Sequence, residues 1–410
     1  MFDVKEIKKD FPMLDGTKTM QGKSLVFLDN ASTTFKPQCV IDTITNYYSN
    51  ITSNSHRGDY DLCHNMDIEV EKCRKKVASF INGEENEVVF TSGTSMSINL
   101  IAYGYACKYL TKDDEIIISL AEHASNVLPW FYVSEMTGCK IKYIPLNEDG
   151  SIDAIGLEKV ITKNTKIVSI AHIGNVFGYV HPIKEMADIA HKYGALFALD
   201  GAQSVPHMKI DVKDLGIDFL SFSGHKMLGP TGIGVLWGRY DLLQKMDPFL
   251  RGGGMNVKFE SNGNVLFLDA PSKFEAGTLN LAGIIGLGKA IDYLLEIGMD
   301  NIAQYEKELK SYFIEQTKDM DNLIIYNKNS ETGIITFNLK GVFAQDEATL
   351  LNSKGIACRS GQHCAKILPE FLKEVATVRA STYLYTTKED IDALVDALKN
   401  GGDILDAYFG

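Results

Sequence analysis

No apolar run in the 410-residue sequence approaches the roughly 20 residues needed to span a bilayer. The opening stretch, MFDVKEIKKDFPML, carries no apolar signal-peptide core, so a cytoplasmic location and no membrane partner are expected. Basic charge is short as well. The 41 Lys and Arg residues face 53 Asp and Glu, a formal net charge of −12, which argues against nucleic acid and anionic lipid alike. Cysteine is sparse and odd in number: Cys39, Cys63, Cys73, Cys107, Cys139, Cys358 and Cys364 form no CxxC pair. Neither a disulfide framework nor a bound metal is therefore expected, and Cys63-His64 are adjacent instead of at a ligand spacing. Cys73, with Val70, Val77 and Phe80 around it at helical spacing, reads as a small buried hydrophobe.

What is present is an ordinary globular composition, 45% hydrophobic and 23% charged. The chain is long enough for two domains, or for one large domain with a satellite. From about residue 65, short apolar runs alternate with longer amphipathic ones. DIEVEKCRKKVASFI (67–81), SMSINLIAYGYACKYL (95–110), NVLPWFYVSEM (126–136) and IKEMADIAHKYG (183–194) have helical character, with Pro129 in the first turn of the third. EVVF, EIIIS, KIKYIPL, KIVSIAHI, ALFALD, FLSFS and GIGVLWG read as strands. Such alternation predicts an α/β fold with a largely parallel sheet covered on both faces. After about residue 280 come one or two long helices, LAGIIGLGKAIDYLLEIG and the charged run behind it. The strands NLIIYN, GIITFNL, IACRS and TVRASTYLY follow, with the helices DEATLLNSKG and KEDIDALVDALKN. The expected division is a segment 1–20 packed on the small unit, a large domain 21–290 and a small C-terminal domain 291–410.

Ligands of open parallel sheets bind beyond the carboxyl ends of the strands, and polar residues gather at four such ends. EVVF runs through Thr91-Ser92-Gly93-Thr94-Ser95 straight into a helix, whose start offers free N–H groups and a positive dipole end to an anion. KIVSIAHI leads to Gly174-Asn175, ALFALD ends on Asp200 before Gly201-Ala202-Gln203, and FLSFS ends on Ser223 before His225 and Lys226. This set suits pyridoxal 5′-phosphate. A lysine amine can form a Schiff base with the aldehyde, a carboxylate can keep the pyridine nitrogen protonated so that the ring acts as an electron sink, and the helix start can hold the phosphate. Each residue alone has a plainer reading. Asp200 could be a turn or cap residue, Lys226 a solvated lysine, His123 and His225 satisfied histidines, Cys364 an inert thiol and Arg379 a structural ion-pair partner. Those readings leave the joint occurrence unexplained.

Asp200-Gly201-Ala202-Gln203, Ser223-Gly224-His225-Lys226 and Arg359-Ser360-Gly361-Gln362-His363-Cys364-Ala365 together resemble the class V aminotransferase-like cysteine desulfurases, in their group II, SufS-like branch. The similarity runs from Phe27-Leu28-Asp29-Asn30-Ala31-Ser32 to Arg379-Ala380-Ser381. Asn54-Ser55-His56-Arg57-Gly58, Glu122-His123-Ala124-Ser125-Asn126 and Arg251-Gly252-Gly253-Gly254 lie in order between them.

The resemblance implies fold type I of the pyridoxal-phosphate-dependent transferases, the aspartate-aminotransferase-like architecture, with the catalytic cysteine in the small domain. It implies Lys226 as the Schiff-base lysine, Asp200 on the pyridinium, His123 stacked on the ring and relaying protons, Gln203 on the ring hydroxyl and Asn175 beside ring and substrate. Thr94, Ser95, Ser223 and His225 would hold the phosphate. Thr278 would reach the phosphate of a neighbouring subunit, which implies a homodimer. Arg379, assisted by Arg359, would clamp the substrate carboxylate. Cys364 would accept the sulfur, with Arg359, His363 and Lys366 as neighbours able to favour its thiolate.

The implied activity converts L-cysteine to L-alanine with a persulfide on Cys364, feeding a SufE-like or SufU-like acceptor in iron–sulfur cluster assembly. A selenocysteine lyase and a sulfur-carrying assembly partner are the alternatives. The sequence departs from the branch at Gln362, Ala124, Gly174, Met96 and Gln345, and none of these removes a core role.

Overall fold

The computed structural model describes residues 2–55, 58–365 and 368–400. His56 and Arg57 of the matched 54–58 stretch, and Lys366 beside the candidate thiol, lie outside the described residues. Seven strands form the main sheet: β1 (Val88–Thr91), β2 (Glu115–Ser119), β3 (Lys140–Ile144), β4 (Thr165–Ala171), β5 (Leu196–Asp200), β6 (Phe219–Ser223) and β7 (Gly234–Gly238). Their order across the sheet is β1-β7-β6-β5-β4-β2-β3. Strands β2 to β6 pair in parallel, as the alternation predicts. The exception is β7, antiparallel to both β1 and β6. Residues 224–233 are too few for the crossover of about a dozen residues that a parallel partner needs, so the chain turns straight back.

All residues of β1, β2, β6 and β7 are buried, because helices cover both faces. These are α1 (Asp61–Phe80), α2 (Thr94–Ile101), α3 (Leu128–Thr137), α4 (Ile183–Lys192) and α5 (Leu281–Ile297). Apolar residues of α1, α4 and α5 join one core cluster, and those of α2 and α3 join the other. The end of α1 falls where Asn82-Gly83 predicts. Asn82 adopts φ +56° and the Gly83 N–H returns to Ala78 O at 2.8 Å. Its start lies earlier than predicted, at Asp61, since Cys63 and Met66 extend its buried face. Cys73 is buried as expected, and burial pushes its thiol up to about 12. Among the described residues no helix is long and apolar enough to cross a membrane.

Gly298, at φ +90°, separates α5 from α6 (Met299–Gln316). Beyond it, β8 (Leu323–Ile325), β9 (Ile334–Leu339), β10 (Arg359–Gly361) and β11 (Thr377–Ser381) make an antiparallel sheet in the order β8-β9-β11-β10. It shares a core with α6 and α7 (Lys388–Asn400) through Leu309, Phe313, Ile335, Phe337 and Leu394. Two predicted strands are corrected. IACRS splits, with Ile356 and Ala357 pairing in parallel to Val26 and Phe27, so that only Arg359 onward joins the sheet. TVRASTYLY stops at Ser381 because Tyr383 and Tyr385 turn into the large core, where they donate to Pro206 O and Asn30 Oδ1. The helix Val4–Lys9 is tied to α7 through Lys5–Glu389 and Lys8–Asp390, at 3.0 and 3.1 Å.

A buried ion pair braces the edge strand. Arg74 of α1 donates to both oxygens of Glu275, at 2.8 and 2.9 Å, and to Val88 O at 2.7 Å. Glu275 also accepts from the Phe90 N–H at 2.9 Å, so loop 274–278 is pinned to β1. Removing the cation strands a carboxylate in the interior. Arg74→Met is therefore expected to lower stability by about 3–5 kcal/mol, read from urea unfolding at pH 7. The double variant Arg74→Met/Glu275→Leu should recover part of that loss.

Candidate active site

A cavity of about 180 Å³ opens beyond the carboxyl ends of β1, β2, β4, β5 and β6, each strand supplying wall residues from its end or from the loop behind it. At one end the chain passes from β1 through Gly93 into α2. A Cβ on Gly93 would stand 3.1 Å from Ser223 Oγ, so glycine permits the close approach. The Thr94 N–H and hydroxyl both lie 2.8 Å from Ser223 Oγ, and Ser95 Oγ lies 2.7 Å from Ser125 Oγ. These hydroxyls, with the opening N–H groups of α2, form a seat for an anion. His225 lines the same cavity. Burial, then Lys226 and Lys36, pull its imidazole down to about 4, so at neutral pH it meets an anion as a neutral donor.

Asp200 and Lys226 come from the ends of neighbouring strands. Asp200 is buried and accepts from the Ala202 N–H at 2.9 Å. Burial raises its pKa, opposed by that N–H and by Lys226. For Lys226, burial lowers the amine to about 8 against the attraction of Asp200, and no described residue pairs with its Nζ. The shift raises the neutral share of the amine well above that of an ordinary lysine, and the neutral form is what attacks an aldehyde. His123 Nδ1 accepts from the Ser125 N–H at 3.1 Å, which leaves the ring proton on Nε2. Burial, then Lys226, Arg359 and Arg379, pull it down to about 4. Gln203 donates to Ala31 O at 2.8 Å, while its buried Oε1 has no partner. Such an orphaned acceptor is costly unless a bound group donates to it.

Behind His123, Glu122 is 2% exposed. It accepts from Ser119 Oγ, Asn126 Nδ2 and the Ala171 N–H at 2.7, 2.8 and 3.0 Å. Burial raises it from 4.5 to about 8. Between those values the folded chain holds a proton that the unfolded chain has lost, so this group makes stability fall as pH rises through that window. Glu122→Gln, whose amide can keep all three contacts, is expected to match the parent at pH 5. At pH 8 it should exceed the parent by up to ~4 kcal/mol. Urea unfolding at the two pH values checks this, and parallel pH profiles would mean that the carboxyl stays ionised when folded.

The antiparallel sheet supplies the remaining wall. Pairing of β10 with β11 sets Arg359 opposite Arg379. Ser32 Oγ accepts from both at 3.0 Å and donates to Asp29 Oδ1 at 2.7 Å. Arg379 also reaches Asp29 Oδ1 at 3.2 Å and Asn175 O at 2.8 Å, and its buried Nε is unpartnered. Two guanidinium groups against one carboxylate leave net positive charge, suited to a substrate carboxylate. Arg359 Nη2 lies 3.4 Å from the half-buried thiol of Cys364. The loop that carries this thiol is held by the Ala124 N–H on Cys364 O at 2.8 Å and by Asn175 Nδ2 on His363 O at 2.7 Å. His363 and Cys364 both adopt positive φ, +50° and +60°, a conformation that persists only where the surroundings enforce it.

Most of the expected residues line the cavity; Cys364 does not, although its thiol touches Arg359, which does, and three further adjustments follow. Asn175 lines the cavity, and its Nδ2 also holds the cysteine loop. His363 cannot assist the thiolate as a cation, because its ring is buried, lies 2.9 Å from Thr377 Oγ1 and is pulled down to about 3 by burial. Thr278 is exposed and stands outside the cavity wall. The sequence reading gave no role to Asp29, Ser32, Ser125 or Glu122. Their only signal was position, since each flanks or falls inside a stretch that carried the resemblance.

The aminotransferase class-V family model matches residues 26–394. A probable cysteine desulfurase of Halalkalibacterium halodurans is 46% identical over 406 residues, which cover 99% of this chain and 98% of that protein. One from Staphylococcus aureus is 45% identical over 401 residues, covering 97% and 96%. Among solved structures, the cysteine desulfurase CsdA of Escherichia coli matches with a TM-score of 0.90 at 36% identity, covering 98% of each chain. The apo cysteine desulfurase of Thermococcus onnurineus matches with 0.92 at 34% identity, covering 97% of this chain and 98% of that one. The family uses pyridoxal 5′-phosphate, and the cavity fits it. Gln203 Oε1 awaits a donor such as the ring hydroxyl, Asp200 suits a ring nitrogen, the start of α2 suits a phosphate, and the Lys226 amine suits an aldehyde. The chain belongs to the class-V aminotransferase family, among its pyridoxal 5′-phosphate-dependent cysteine desulfurases.

Proposed function

We propose that the protein converts L-cysteine to L-alanine, takes the sulfur as a persulfide on Cys364, and passes it to an acceptor of iron–sulfur cluster assembly. The observation that carries this reading is one cavity lined by Lys226, Asp200, Arg359 and Arg379, with the Cys364 thiol just outside that lining, 3.4 Å from Arg359.

Pyridoxal 5′-phosphate, when bound, supplies an aldehyde that captures the substrate amine and a ring that draws electrons from the substrate Cα. Thr94, Ser95, Ser223 and His225 hold the phosphate, Asp200 keeps a proton at the ring nitrogen, and Gln203 accepts from the ring hydroxyl. Arg379 and Arg359 bind the substrate carboxylate and orient the molecule. Lys226 Nζ removes the Cα proton and can return it, while His123 Nε2 offers a second movable proton. Cys364 Sγ, which Arg359 Nη2 faces at 3.4 Å, attacks the substrate sulfur as the thiolate. The Sγ–S bond forms as the Cβ–S bond breaks, and the electron pair of the broken bond stays with carbon. Of the two thiol protons, one ends on the alanine methyl and the other on the persulfide.

The exposed Thr278 suits a role at a neighbouring subunit's phosphate and supports a homodimer. So does the hairpin of Asn256–Phe259 with Val265–Phe267, which leaves Val257, Phe259, Val265 and Leu266 exposed. The two separate sheets and the ties of Val4–Lys9 to α7 support a large unit, a small C-terminal unit and an N-terminal segment, as in the division 1–20, 21–290 and 291–410. The boundary moves to Gly298, because Leu294 and Ile297 of α5 join the large core, and Phe11 packs on that core as well. A SufE-like or SufU-like protein in the cytoplasm is the acceptor in this reading.

The test is incubation with L-cysteine, with alanine quantified and position 364 followed by mass spectrometry. One alanine per sulfur bound, with one extra sulfur atom on Cys364, is expected. Alanine formed from selenocysteine but not from cysteine would replace this reading with a selenocysteine lyase. Protein that binds no cofactor would leave only a carrier role.

A further inference from the structure

The carbonyl of His225, in the peptide bond that leads into Lys226, faces four donors. They are the Thr34 N–H at 3.0 Å, Thr33 Oγ1 at 3.1 Å, Thr34 Oγ1 at 3.2 Å and the ammonium of Lys36 at 3.0 Å. A carbonyl oxygen has two lone pairs, so this acceptor is saturated and held from one side by the segment 33–36. The same segment grips the chain beyond the lysine. Thr34 Oγ1 accepts from the Leu228 N–H at 3.0 Å, and Leu228 adopts φ +64°, a conformation unusual for a branched residue. Lys226 is thus bracketed, with its preceding carbonyl and the amide two residues on both fixed by one neighbouring strand of chain.

Lys36 itself does not belong to the cavity wall. It has no carboxylate partner among the described residues, and its other contact is Thr34 O. Burial lowers its amine to about 8, so the fold accepts a half-buried lysine whose contacts are two carbonyls. A neutral side chain would suffice if the site only needed filling. A cationic donor on a single carbonyl fixes the plane of that peptide more firmly than a neutral one.

We propose that Lys36, with Thr33 and Thr34, is a positioning residue for Lys226, fixing the peptide ahead of it so that its amine is delivered to the cofactor aldehyde. The inference rests on the reading of Lys226 as the lysine that joins the cofactor, and it is independent of which substrate follows.

The test uses the full chain stripped of cofactor and remixed with pyridoxal 5′-phosphate, following the absorbance of the lysine-linked form. In parallel, pyridoxine 5′-phosphate, which has the ring and phosphate but no aldehyde, reports on the pocket alone. Lys36→Met is expected to slow the appearance of the linked band by at least roughly tenfold, while affinity for pyridoxine 5′-phosphate changes by less than about twofold. Lys36→Arg, which keeps a cationic donor, should restore part of the rate. An unchanged rate in Lys36→Met, or an equal loss of both readouts, overturns the proposal. Should that variant fail to fold, Thr33→Val removes one neutral donor from the same carbonyl. It should slow the band in the same direction by less, and no slowing there would also overturn the proposal. A linked band that persists in Lys226→Ala would instead sink the reading of Lys226.

Discussion

Lys226→Ala is expected to abolish the absorbance of lysine-linked cofactor and to cut cysteine turnover by at least ~10³-fold. The size follows from two tasks resting on one amine. Burial disfavours the Lys226 ammonium, against the attraction of Asp200, which helps the amine attack an aldehyde, and the same nitrogen is the group proposed to take a proton from the substrate Cα. Among the described residues no other lysine lines the cavity. The histidines on the wall, His123, His225 and His363, are all held well below their ordinary range by burial and cannot form the linkage. Folding should be unaffected, because Nζ makes no bond that the fold relies on. Added methylamine should therefore recover a measurable part of the turnover. A linked band surviving in the variant would remove Lys226 from its role.

Cys364→Ser should leave the linked band intact and lower sulfur release by about 10²–10³-fold, with no persulfide at position 364. An alcohol is a poor nucleophile toward sulfur and stays protonated where a thiol can ionise. The Arg359 guanidinium that faces this position cannot make an alkoxide of the serine at neutral pH. The loop should keep its shape, since its anchors are the backbone oxygens of His363 and Cys364 and not the sulfur. Loss of chemistry with retention of cofactor binding separates this variant from Lys226→Ala. Sulfide release at the parent rate would place the sulfur transfer elsewhere.

Much of this was legible locally. Apolar runs such as FLSFS and EIIIS encode strands buried on both faces, and Asn82-Gly83 and Pro129 punctuate helices where the structure has them. Asp200 and Lys226 were readable because each ends such a run, and the fold places strand ends together. The direction of β7 was not readable from its composition, because an antiparallel partner buried on both faces looks like a parallel one. IACRS and TVRASTYLY looked uniform, and only their packing partners divide them.

The amino-acid sequence by itself determined the alternating elements, the positions of the amine, the acid and the thiol, and the family. Tertiary structure alone decided which charges act. Arg359 faces Cys364 while His363 is buried and neutral, Ser32 bridges two arginines, and Lys36 reaches the carbonyl before Lys226 from 189 residues away. The physical reason is range: periodicity and turn chemistry are written over a few residues, whereas desolvation and hydrogen-bond partnership depend on neighbours that only the closed chain brings near.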